Sequence, residues 1–200
     1  MNTAAYWWNF ISVFLLLVWL LQRFLREIRG LFVSALGAGL VSLIPFFGHE
    51  PRYWLSGLTP NVSIPLLALL LASILARARL VAALRPREWR AAWSFGALAA
   101  LALYPSALGL GLHNFDSYSL GWPWQDWSLS SLLFGAVALT AGILIWRENR
   151  FGWVLVCAAL AYVSGLQESQ NFWDYVVDPL YAVVSLAVCM VGLARRIFRR

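Results

Sequence analysis

The chain has 200 residues, 62% of them hydrophobic and 12% charged, with a mean hydropathy of +0.72. A soluble domain carries about 25% charged residues, so this deficit argues for lipid as the solvent rather than water. The net charge of +6 rests on fifteen arginines and no lysine, and these arginines stand in short clusters beside apolar runs. That is a pattern of membrane topology and headgroup contact, and it excludes nucleic acid as a partner.

A bilayer core of about 30 Å takes roughly 20 apolar residues per helix. Seven runs come near this length, at 6–22, 31–47, 63–84, 91–112, 129–146, 151–166 and 180–194. The first follows a terminus without a basic residue, so it is expected to be kept as a helix and not cleaved as a signal peptide. The third is interrupted by Arg77 and Arg79 and reads as one helix to Leu84, both arginines snorkelling to the interface. The fourth carries Tyr104-Pro105, which predicts a kink. The turn at 147–150, RENR, is too short for anything but a tight connection. No stretch has the composition of a linker. The expectation is an all-α, polytopic membrane protein, residues 1–200 forming one integral domain of about seven transmembrane helices.

Orientation follows from the arginines. The first, third and fifth loops and the C-terminus hold fourteen of them, and the other side holds Arg52 alone. The positive-inside rule then places the N-terminus outside and the C-terminus in the cytoplasm. Glu50, Asp116, Asp126, Glu168, Asp174 and Asp178 fall outside, and Glu27, Glu88 and Glu148 inside. The tryptophans sort into an outer belt that includes Trp7, Trp54, Trp122 and Trp173, and an inner one that includes Trp19, Trp89 and Trp146. Ser34 with Ala38, Ala35 with Gly39 and Gly96 with Ala100 repeat small residues at four-residue spacing, which suits ordinary close packing of helices. Cys157 and Cys189 fall in apolar runs and have no metal-type spacing.

The polar strip 166–181, LQESQNFWDYVVDPLY, concentrates three acids between two apolar runs. Gln167, Asn171, Asp174 and Asp178 recur at helical spacing, so one continuous helix would stack Asp174 and Asp178 about 5–6 Å apart at Cβ. Such a pair, assisted by Glu168 and by His113 and Asp116 from the preceding outer loop, forms the candidate catalytic set for acid–base or divalent-metal chemistry. The other reading of the same residues is structural: aspartate followed by proline is a standard way to start a helix, and the proline disfavours helical geometry at residue 178. His49-Glu50 is a second outward polar pair. Two histidines fall short of a three-histidine zinc site, and GxSxG, Walker A, GxGxxG and HExxH are absent. No cofactor or metal follows from these residues.

The leading expectation is a multi-pass accessory or assembly subunit in envelope biogenesis, in a bacterial inner membrane. It would present an aromatic and acidic outer face to a lipid, a lipid-linked sugar or a larger partner enzyme, while its arginines meet anionic headgroups at the cytoplasmic face. The alternative is a membrane-embedded hydrolase or transferase at the outer leaflet using the carboxylates and histidine above. A small transporter comes third, because the helix interiors carry almost no charge.

Overall fold

Prolines at helix starts and left-handed residues at helix ends set the boundaries of most elements. The computed structural model describes residues 3–25, 27–110, 116–122 and 127–198, with the backbone alone for 3–6 and 127–131. It is all-helical, with 75% of residues in helices and no strand among those described. The helices run α1 (Thr3–Leu21), α2 (Glu27–Leu43), α3 (Pro51–Leu58), α4 (Ile64–Arg77), α5 (Pro86–Ala107), α6 (Trp127–Trp146), α7 (Phe151–Val163), α8 (Phe172–Val176) and α9 (Pro179–Ile197), with a 3-10 turn at Ser117–Gly121. Proline occupies the first turn of α3, α4, α5 and α9, where its missing N–H removes no helical bond.

Four helices end alike. The amide two residues beyond the C-cap donates to the carbonyl five residues back, from Leu80 to Leu75, Leu110 to Pro105, Asn149 to Leu144 and Leu166 to Ala161, at 2.7–3.0 Å. Each such end needs one left-handed residue, supplied by Arg79, Gly109, Glu148 and Gly165 at φ of 52–72°. This corrects the third predicted run. The helix expected to reach Leu84 stops at Arg77, and 78–85 continues as non-helical chain. The fourth run is shifted likewise: α5 begins at Pro86, passes Pro105 and ends at Ala107. In the second, α2 stops at Leu43, and residues 46–49 close into a tight turn.

Of the two readings of the strip, the structure takes the one in which a helix starts afresh at Asp178. Only α8 and α9 are helical there, and Gln167, Asn171 and Asp178 lie outside both. Asn171 and Asp178 are extended N-caps, so the i, i+4, i+7, i+11 stripe does not exist and Asp174 does not stack on Asp178. Each cap accepts local amides and so begins a new helix where the pattern alone would extend an old one.

The principal packing pairs are α5 on α9, α6 on α7, and α1 on both α2 and α4. A Cβ at Gly96 would collide with Ser185 and Tyr181 of α9, so the small residue sets how closely α5 approaches. Tyr181, fully buried, donates its hydroxyl to the Ala92 carbonyl at 2.6 Å. Ser34, Ala38 and Ala100 are buried as well, in keeping with packing as the role of the small-residue pairs.

At one end of the helices Glu88 is 1% exposed and meets Arg150 in a forked ion pair at 2.8 and 3.0 Å. Glu88 also accepts the Arg85 amide at 2.6 Å, while Arg150 donates onward to the carbonyls of Ala82 and Ala83. The tight 147–150 turn therefore clasps the non-helical 78–85 segment to the start of α5. The Arg150 guanidinium holds the Glu88 carboxyl down to a pKa of about 2.

Among the described residues α9 is the one helix that is long and apolar enough to cross a membrane, with 19 residues, a mean hydropathy of 1.7 and 17% of its apolar window buried. Shorter apolar helical stretches cover Trp7–Leu21, Ile64–Arg77, Leu132–Trp146 and Phe151–Val163.

Candidate functional site

At the end of the helices opposite the Glu88 clasp, loops distant in sequence are tied by polar side chains. Val62 O accepts both the Trp8 indole N–H at 3.1 Å and the Gln167 side-chain amide at 3.0 Å. Trp173 donates to Ser117 O, and Asn171 to Tyr118 O, both at 2.9 Å. The turn at Ser117–Gly121 thus rests directly on α8, and a Cβ at Gly121 would run into Asn171.

The predicted acids are distributed over this end in different roles. Asp178, 2% exposed, accepts the amides of Leu180 and Tyr181 on Oδ1, at 2.8 and 3.0 Å. Its Oδ2 takes the amide and hydroxyl of Ser63, at 2.8 and 2.5 Å. Ser63 is itself the N-cap of α4, so one carboxylate serves two helix starts. Both termini direct positive partial charge at it. Asp174 accepts the Tyr118 hydroxyl at 3.0 Å and that of Ser169. Asp116 caps the 3-10 turn by accepting the Tyr118 amide at 2.9 Å. Tyr118 therefore joins Asp116 and Asp174 in one network that does not include Asp178. Burial pushes the carboxyls of Asp174 and Asp178 above the usual range, and burial beside Asp174 pushes the Tyr118 phenol up. His113 lies outside the described residues.

Glu168 belongs elsewhere. It lines a cavity of about 410 Å³ with Asn9, His49, Glu50, Arg52 and Tyr53, a size within the range of about 300–1,000 Å³ typical of ligand clefts. The 46–49 turn that delivers His49 has two successive left-handed residues, Phe47 at φ 50° and Gly48 at φ 78°. An aromatic residue in that region is strained. The His49 ring stacks on Tyr53 at 4.1 Å between centroids, and Arg52 pairs with Glu50 at 2.5 Å. Asn9, 8% exposed on α1, has a side-chain oxygen that accepts no hydrogen bond from the described residues. The lining thus carries two carboxylates, Glu50 and Glu168, and one guanidinium, Arg52.

The cavity brings together one predicted site residue, Glu168, and the His49-Glu50 pair, and it leaves Asp174, Asp178 and Asp116 outside. Asn9 carried no sequence signal: it is a single polar residue in an apolar run, and only the packing of α1 on α3 gives it a role. Among the described residues no three His, Cys, Asp or Glu side chains converge as a metal site. No family model, curated protein or solved structure gives a significant match to the chain.

Proposed function

We propose that the chain is a seven-span inner-membrane protein, N-terminus outside and C-terminus cytoplasmic, that acts as an accessory or assembly subunit in envelope biogenesis. Its outer end meets a lipid, a lipid-linked group or a partner enzyme, and its arginine-rich end meets anionic headgroups, at about 1 kcal/mol per residue near the surface. Two features support the membrane reading. The apolar helix α9 is mostly exposed, unlike the core helix of a soluble protein, and it lies far from the N-terminus. Loops assigned to one side also bond to each other: Arg79 with Glu27, Arg87 with Glu148 and Arg150 with Glu88 at one end, and the 62, 117–118, 167–174 and 178 contacts at the other.

The observation that carries the accessory reading over catalysis is the occupancy of the two strip carboxylates. Asp178 has four donors and Asp174 two, all from the protein itself, and both acids hold the fold together. The test is native mass spectrometry after gentle extraction. A stoichiometric protein partner that persists in Asp174→Asn supports the proposal. A divalent metal or a turnover activity that disappears with Asp174→Asn sinks it. Orientation is checked separately with single cysteines in a cysteine-free background. Position 119 should react with an impermeant maleimide from outside, and position 87 only after permeabilisation; the reverse pattern inverts the topology.

A further inference from the structure

The cavity beside α3 has the chemistry of a zwitterionic headgroup site, and we propose that it binds the primary ammonium and phosphate of an aminophospholipid from the outer leaflet. This rests on the membrane reading above. Two features point to an ammonium: the carboxylates of Glu50 and Glu168 in the lining, and the Asn9 oxygen, which is nine-tenths buried and accepts nothing from the described residues. A primary ammonium offers three N–H donors to such acceptors, whereas a trimethylated one offers none. A site built to hydrogen-bond a donor rejects the analogue lacking it, because its own polar groups are left unpaired. Arg52 supplies a guanidinium on the same wall, suited to the phosphate.

The surroundings select a lipid over a free amine. Across the 46–49 turn lies an apolar groove of about 580 Å³ lined by Val41, Ile44, Phe46, Phe47, Pro51 and Trp54. Helix α3 divides the two: Pro51 and Trp54 face the groove, and Arg52 and Tyr53 face the cavity. Such an amphipathic helix suits the boundary between headgroups and acyl chains. The headgroup occupies the cavity while an acyl chain lies in the groove, and the strained 46–49 turn stands between them.

The test uses the full chain purified in detergent, stripped of lipid, and titrated with phosphatidylethanolamine or phosphatidylcholine of identical acyl chains, with retention read by native mass spectrometry. The wild type should retain the ethanolamine lipid about tenfold better, a preference of about 1.4 kcal/mol. The preference should fall to near parity in Glu168→Gln and, independently, in Asn9→Leu. Equal retention of the two lipids by the wild type overturns the proposal, as does a preference unchanged in both variants. Displacement of the lipid by free phosphoethanolamine at millimolar concentration overturns the lipid source and assigns the cavity to a soluble amine phosphate. Alkaline carbonate extraction of native membranes reads the membrane assignment by itself: release of the chain would refute that assignment whatever the lipid preference.

Discussion

Asp178 shows how one buried side chain can organise two helix starts. Its two oxygens divide the work, Oδ1 starting α9 and Oδ2 holding the start of α4. Asp178→Asn retains one acceptor but turns an N–H₂ toward the Ser63 amide. It should therefore cost about 1–3 kcal/mol in a detergent-based unfolding titration, while Asp178→Ala, which loses both caps, should cost more. The alternative sequence reading, an aspartate cap followed by proline, is what the residues do. What the sequence withheld was Ser63, 115 positions away. Glu88 makes the opposite prediction with pH. Its carboxyl sits at about 2 when folded against 4.5 unperturbed, so its contribution is complete above 4.5 and is lost as the pH falls toward 2. Screening at the half-exposed Arg150 limits this to about 1–2 kcal/mol. In Glu88→Gln the unfolding midpoint should be lower at neutral pH, and the gap to wild type should narrow as the pH falls from 4.5 toward about 2. The raised carboxyl of Asp178 runs the other way: any stability from its protonated form is present at low pH and fades as the pH rises through its folded value.

At the scale of elements, apolar runs announced the helices and failed at their ends. The run through Leu84 is broken by a left-handed Arg79, which nothing in the residue type foretells, because arginine carries no preference for that region. Gly109 and Gly165 are legible stops of the same kind, because glycine enters the left-handed region freely. Gly165→Ala should cost about 1–2 kcal/mol, seen as a lower thermal midpoint, because it forces a Cβ into a left-handed backbone. In the strip, the spacing of the polar residues allowed one helix, but the bonds donated by the Trp173 amide to Asn171 and by the Leu180 amide to Asp178 outcompete it. The candidate site failed to show for a related reason. His49-Glu50 was visible as a pair, whereas its meeting with Asn9 and Glu168 depends on the packing of α1, α3 and the 167–171 segment, and no spacing encodes that.

For the whole molecule, the arrangement separates two ends, one knitted by arginine–carboxylate pairs and one by amide, hydroxyl and indole bonds. The α5–α9 contact is the most extensive between helices among the described residues, and Gly96 limits how closely the two approach. Gly96→Val should separate the two helices, leave the Tyr181 hydroxyl short of the Ala92 carbonyl, and lower stability by about 2–4 kcal/mol, measured by resistance to detergent denaturation.

The bond between Ser63 and Asp178 also has a consequence in time. During synthesis the segment carrying Ser63 is made 115 residues before its carboxylate partner exists. Until α9 arrives, the buried amide and hydroxyl at the head of α4 lack this acceptor, and α5 lacks its main neighbour. Helix α9, made after α4 and α5, is therefore the one that locks these earlier helices, and a chain truncated ahead of residue 178 leaves both without their partner.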